Sequence, residues 1–150
     1  MKSLIFNTAE ISFQIGDPSS RPNGIRPSDS ESDAETFSKI AVAFLCIEID
    51  DHSEDVSFMA ENLVTYSRMV GRGILLVPFS HLSATPETSQ DTALQLINSV
   101  SRQLSESNCL EGVGGFGRQK ALIAKWITLS HEGSVVFRDS KFRRSSSHPT

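Results

Sequence analysis

The chain has 150 residues, 38% hydrophobic and 21% charged, which suits one soluble domain with a real core. Its formal charge of −4 argues against a general nucleic-acid binder. No apolar run approaches the ~20 residues that cross a bilayer, and the N-terminal MKSLIF turns polar at Asn7, so a signal peptide is not expected and a cytoplasmic protein without membrane contact is.

Residues 3–15, SLIFNTAEISFQI, read as strand, turn and strand. Asn7, Thr8 and Ala9 would make the turn, and Ile11, Phe13 and Ile15 alternate after it. Residues 16–35 hold three prolines and few apolar side chains, the composition of a long mobile loop. Lys39 to Ile49, KIAVAFLCIEI, is a continuous apolar run with β-branched bias and suits a central strand buried on both faces. A helix begins at Ser53, with Asp55 in its first turn. Val56, Met59, Leu63, Tyr66 and Val70 fall at helical spacing, and Gly71 and Gly73 end it.

The strand GILLVPF follows, then the short loop SHLSAT. Thr85 as N-cap and Pro86 at the first helical position predict a second helix, with Ala93, Leu94, Ile97, Val100 and Leu104 on its buried face. Glycines 112, 114, 115 and 117 interrupt the next segment before the strand ALIAKWITL, and a short strand SVVF precedes a polar tail. The strand–helix–strand unit in the middle predicts an α/β fold, a mixed sheet with helices packed on it.

Residues 112–150 carry seven basic and two acidic side chains, a local +5 against −9 for the rest. A basic surface on an acidic body can meet one RNA end without gripping a long duplex. Cys46 and Cys109 belong to no CxxC, and no Cys/His cluster has zinc-ligand spacing, so neither metal nor cofactor is expected. Cys46, inside an apolar run with no local cation, reads as a buried thiol and not a nucleophile.

Two loops hold residues able to do chemistry. Pro78-Phe79-Ser80-His81-Leu82-Ser83 lies between a strand and a helix, where such sheets bind ligands, and His81 can exchange a proton near neutral pH. Gly114-Gly115-Phe116-Gly117-Arg118-Gln119-Lys120-Ala121 lets backbone approach a ligand closely and sets an ammonium group at a strand mouth. It matches neither the P-loop nor the dinucleotide fingerprint. Taken singly, the first loop also fits a packing or capping histidine, and the second a glycine-rich hairpin with an exposed lysine.

Together, PFSHLS, a following PET, and GGFGRQKA some thirty residues on resemble the editing domain of archaeal-type threonyl-tRNA synthetases. In that family the loops read approximately P-[YF]-A-H-L-S and A-P-F-G-[WY]-Y-K-A. The opening MK and the AFLCIEIDD strand fit as well, and the resemblance spans roughly residues 1–125. It implies a D-aminoacyl-tRNA deacylase-like fold over 1–140, a homodimer, and a linker or tail at 141–150 leading to the remainder of a synthetase. It implies hydrolysis of L-seryl-tRNA(Thr) that spares threonyl-tRNA(Thr), with a tRNA ribose hydroxyl helping water attack the ester. Lys120 falls on the family's catalytic lysine and His81 on its active-site histidine. Ile47, Pro78 and Ser80 fall on positions lining the pocket for the amino acid and terminal adenosine, and Phe116 and Gly117 on the loop closing over the adenosine. Gln119 occupies the substrate-side position of the family tyrosine.

Other positions depart from the family too. Arg118 replaces an aromatic residue and Gly115 a proline. The downstream G-H-P-L-x-E-L segment is barely recognisable around His131, and no acidic residue falls on its glutamate, Glu132 being merely nearby. A non-catalytic module for the aminoacyl-tRNA end is the alternative that these departures favour. A deacylase for D-aminoacyl-tRNA is another, although SQFT-like and NGPVT-like motifs are missing.

Overall fold

The computed structural model describes residues 1–18, 34–114, 118–126 and 135–142, with side chains described except at 13–18, 34–35 and 118–126. In chain order it contains β1 (Lys2–Pro18), β2 (Ala34–Cys46), α1 (Ser53–Val70), β3 (Ile74–Pro78), a 3₁₀ turn (Ser80–Leu82), α2 (Gln90–Glu106), β4 (Leu110–Val113), β5 (Arg118–Trp126), β6 (Val135–Asp139) and a second 3₁₀ turn (Ser140–Phe142). The strands form a six-stranded sheet of order β4-β3-β2-β1-β5, with β6 also on β1. β2, β3 and β4 pair in parallel, while β1 pairs antiparallel with β2, β5 and β6. This is the mixed α/β sheet that the strand–helix–strand pattern predicts. Among the described residues, no helix is long and apolar enough to cross a membrane.

α1 is where periodicity puts it, and α2 buries Ala93, Ile97, Val100 and Leu104 but leaves Leu94, expected on the buried face, half-exposed. His52 caps α1, Glu54 and Asp55 stand in its first turn, and Gly71 ends it in the left-handed conformation at φ 66° with its N–H donating to the Ser67 carbonyl. Val56, Met59, Leu63 and Tyr66 join Ala93, Ile97, Val100 and Leu104 of α2 over Ile5, Ala43, Leu45, Ile74 and Leu76 of the sheet. Burial holds the Tyr66 phenol up at about 12. Leu63 and Leu104 are fully buried in this layer.

The expected turn at Asn7–Ala9 is a correction: β1 runs unbroken from Lys2 to Pro18. The break in apolar phase that suggested a turn is real, and it marks a bend. Leu4 and Phe6 belong to the apolar cluster on the face away from the helices, and so does Ile11, an odd-numbered neighbour of those even-numbered positions. On β2 the same cluster takes Phe44, Val42 and Ile40, then Phe37. Since side chains alternate strictly along a strand, both strands must change phase between these positions. Lys39 takes φ 51°, and the β1–β5 register shifts between Thr8 and Glu10. The expected loop at 16–35 is strand at both ends, in β1 to Pro18 and β2 from Ala34, and the rest of it lies outside the described residues.

The second correction concerns α2, which starts at Gln90 with Ser89 as its cap, its hydroxyl accepting from the Thr92 N–H. Thr85 and Pro86 are extended partners of the stretch after β2. Ile49 N–H donates to the Thr85 carbonyl at 3.1 Å, Glu87 N–H to the Ile47 carbonyl at 2.9 Å, and Glu48 bridges Pro86. Long-range pairing outweighs the local capping signal.

A buried ionic cluster closes the end of the sheet where β1 begins. The Met1 amino group donates to Glu48 Oε1 at 2.8 Å, Asp51 Oδ1 at 2.6 Å and Ser140 Oγ at 3.1 Å. Lys2 bonds Glu48 Oε2, Lys141 Nζ reaches Asp51 at 2.9 Å, and the Ser140 hydroxyl donates to Asp55. Lys141, at the start of the expected tail, is thus tied to the domain body. Burial alone would raise the Glu48 carboxyl, but hydrogen bonds from Lys2, the Met1 amine and Ser83 outweigh it and hold it at about 2.

Glu48 is therefore depressed in the folded state, so its stabilisation is complete above its unfolded pKa and is lost as pH falls from about 4.5 toward 2. Glu48→Gln is expected to lower stability at pH 7 and to flatten the acid limb of a denaturation series in that window. An unchanged acid limb would remove Glu48 from the network. Truncating Leu63 to Ala, at a site with no exposure, is expected to cost about 2–5 kcal/mol by urea denaturation.

Candidate functional site

The parallel pair β2 and β3 ends at Leu45 opposite Pro78. Beyond that point Phe79 N–H donates to the Leu45 carbonyl at 2.8 Å, and the chain turns through Ser80, His81 and Leu82. The turn therefore stands at the carboxyl ends of parallel strands, where open α/β sheets gather ligands. His81 is exposed, and its ring meets Phe79 edge-on at 5.2 Å between centroids. Phe79 in turn lies 5.4 Å from Phe44, and Phe44 5.8 Å from Phe6. This aromatic row runs from the sheet face away from the helices to the His81 ring. Leu82 packs on that same apolar face, with Val42, Val77 and Ile11.

Cys46, the last residue of β2, lies beneath the turn. Its Sγ is 3.7 Å from the Ser80 carbonyl oxygen and 3.6 Å from that of Ile47. Burial, aided by the Glu48 carboxylate, pushes the thiol up to about 11, so it is an inert packing group beside the turn. In the native protein Cys46 is expected to react with iodoacetamide at pH 8 more than tenfold slower than in the unfolded chain, scored by peptide mass spectrometry. Fast native labelling would contradict the buried thiol.

The structure brings the backbones of Ile47, Pro78, Ser80 and His81 together at this edge. Pro78 and Ser80 are half-buried there. The Ile47 side chain is 5% exposed and packs in the helix-side core with Leu45 and Val56, and its carbonyl accepts from the Glu87 N–H at 2.9 Å, so Ile47 stands beside the turn as paired backbone. Gln119 and Lys120 lie on β5, which is separated from β3 by β2 and β1. Lys120 pairs with Ile15 and Ala121 with Gln14, on the distal half of β1. Ile11, from that same half, shares its cluster with Leu82 of the turn, so the distal half of β1 and the His81 turn lie on one apolar surface. Phe116, Gly117 and His131 lie outside the described residues. Among the described residues, no group of three or more His, Cys, Asp or Glu side chains is placed to hold a metal. A groove on α1 lined by Ser53, Glu54, Ser57, Phe58 and Glu61 shares no residue with this region.

Sequence reasoning misses Glu48, and with it the role of Ser83 within the PFSHLS loop. The signal was a carboxylate inside the apolar run AFLCIEI, since a buried charge requires partners. Glu48 Oε2 accepts from the Ser83 hydroxyl at 2.7 Å, and Ser83 Oγ accepts from the Thr85 N–H at 3.0 Å.

A family model described as the archaea-specific editing domain of threonyl-tRNA synthetase matches residues 1–124, a span holding both the His81 turn and Lys120. The chain belongs to that family. A solved structure titled c-Myc DNA unwinding element binding protein is similar to this editing domain with a TM-score of 0.62, at 12% identity, over 93% of this chain and 98% of that one. At that identity the likeness concerns fold alone, and the fold is D-aminoacyl-tRNA deacylase-like, as the sequence motifs imply. Comparison with curated proteins gives no match. Editing of aminoacyl-tRNA is thus the general activity of the family, on a fold of aminoacyl-tRNA deacylases.

Proposed function

We propose that this editing domain hydrolyses L-seryl-tRNA(Thr) and spares threonyl-tRNA(Thr). The observation that carries the reading is the family match over 1–124, which includes both chemistry-bearing loops in their expected order. The need for such an activity is physical. Serine lacks one methyl group of threonine, and a pocket gains only about 1–3 kcal/mol of discrimination from it. A synthetase site therefore admits serine too often, and a second site must remove it.

The bond to cut is an ester between the amino acid and the terminal ribose. Water adds to the carbonyl carbon, negative charge develops on the carbonyl oxygen, and the ribose oxygen leaves with a proton. A cation and oriented N–H groups lower that barrier. Lys120 is the cation in this reading, held by β5 pairing on the distal half of β1. His81 positions the terminal nucleoside from its aromatic row, and a ribose hydroxyl of the tRNA activates the water. Pro78 and Ser80 shape the wall for the aminoacyl group, with the backbone of Ile47 behind them. Phe116 and Gly117 close over the adenosine, and Gln119 binds substrate from the position of the family tyrosine. A mechanism that borrows a hydroxyl from its substrate needs few protein acids and bases, which accommodates Gln119 in place of the family tyrosine.

The protein acts in the cytoplasm as a homodimer, joined to or working with the remainder of a threonyl-tRNA synthetase. The net basic balance of residues 112–150 supports contact with the tRNA end. Gln119 also favours a second reading, a non-catalytic module for the aminoacyl-tRNA end. Serine release from seryl-tRNA(Thr) by wild type and by Lys120→Ala separates the two. Wild type is expected to release serine well above the uncatalysed rate, and Lys120→Ala to lose at least a hundredfold of that. Tight binding of the RNA end without release would establish the binding module instead.

A further inference from the structure

Glu48 joins two regions far apart in sequence. Its carboxylate is almost wholly enclosed, at 4% exposure for the residue. Oε1 accepts from the Met1 amine at 2.8 Å, and Oε2 accepts from both Lys2 and the Ser83 hydroxyl, the latter at 2.7 Å. We infer that Glu48 is a positioning residue for the candidate site, acting through Ser83 to set the His81 turn. This inference rests on the reading of that turn as part of an aminoacyl-tRNA editing site.

Two cations hold Glu48 as a carboxylate, and a carboxylate only accepts hydrogen bonds. Ser83 must then donate to it. That donation fixes the hydroxyl rotor and turns a lone pair toward the Thr85 N–H, which lies 3.0 Å away. Backbone bonds anchor the turn at each end, Phe79 to Leu45 on one side and Thr85 to Ile49 on the other. Between those anchors stand Ser80, His81, Leu82, Ser83 and Ala84. Leu82 packs on the apolar face of β2, and among the described residues the polar joins of this stretch are the Ser83–Glu48 bond, just past the end of β2, and a long thiol contact from Cys46 to the Ser80 carbonyl. A charge-assisted bond to a neutral hydroxyl is the stronger of these by a wide margin. It acts two residues from His81. Misplacing a positioning group by about 1 Å is enough to cost a hundredfold in rate.

The test is a double-mutant cycle on serine release from seryl-tRNA(Thr), with Ser83→Ala, His81→Ala and the double variant. Ser83→Thr serves as the conservative rescue. Ser83→Ala is expected to lower kcat tenfold to a hundredfold with KM changed less than threefold, and Ser83→Thr to restore most of it. In the His81→Ala background, Ser83→Ala is expected to cost less than twofold, because its effect passes through His81. Equal losses in both backgrounds, or no loss from Ser83→Ala, would overturn the inference. Glu48→Gln is read alongside by the ring resonances of His81. Shifted or broadened His81 signals in both Ser83→Ala and Glu48→Gln, with the remaining spectrum native, support the positioning role, and unchanged signals contradict it. If wild type releases no serine, the hydrolytic reading fails, and the His81 resonances alone decide whether Glu48 sets the turn.

Discussion

A carboxylate placed inside an apolar layer is unstable unless its charge is answered, and Glu48 is answered from three directions. The Met1 amine, Lys2 and Ser83 all donate to it. Those groups come from the start of β1 and from the turn after β3. The neighbouring Asp51 and Asp55 extend the network to Ser140 and Lys141. The first residue of the chain, the end of its central strand, the candidate turn and the last described turn thus converge on one ionic centre. Removing one member of such a network leaves another charge buried and unpaired, which costs more than the bond itself contributes.

The sheet supplies the second constraint. β1 is long enough to serve two neighbours along one edge, β6 over Lys2–Phe6 and β5 beyond Thr8. The phase change near Ala9 and Lys39 keeps apolar side chains turned to the same surface on both sides of the bend. That surface receives Leu82, next to His81, and Ile11, from the half of β1 that pairs with β5. One bend therefore relates the two motif-bearing segments, and the aromatic row from Phe6 to His81 crosses the same face.

How much of this was legible in sequence depended on how local each signal was. α1 was readable at both ends because its apolar spacing, its acidic first turn and a glycine at φ 66° are all encoded within its own residues. The parallel β2–β3 pair was readable from its apolar runs and the helix between them. The start of α2 was not, because Thr85-Pro86 is a sound local cap that loses to pairing with Ile47–Ile49. The phase break at Asn7 is visible in the sequence, but a bend and a turn disrupt alternation alike, and here it is a bend within β1. Pro78, His81 and Ser83 stand in one motif, which assigns no role to Ser83. The bond between Glu48 and Ser83 is not legible, because the partners of Glu48 lie 35 to 47 positions away and no local pattern encodes such a meeting.

The account depends most on selectivity, because an editing site that cannot tell serine from threonine would destroy the correct product. The deciding measurement is the ratio of hydrolysis rates for seryl-tRNA(Thr) and threonyl-tRNA(Thr) under the same single-turnover conditions. A ratio of at least tenfold in favour of serine is the result this account predicts. Equal rates for the two esters would contradict it.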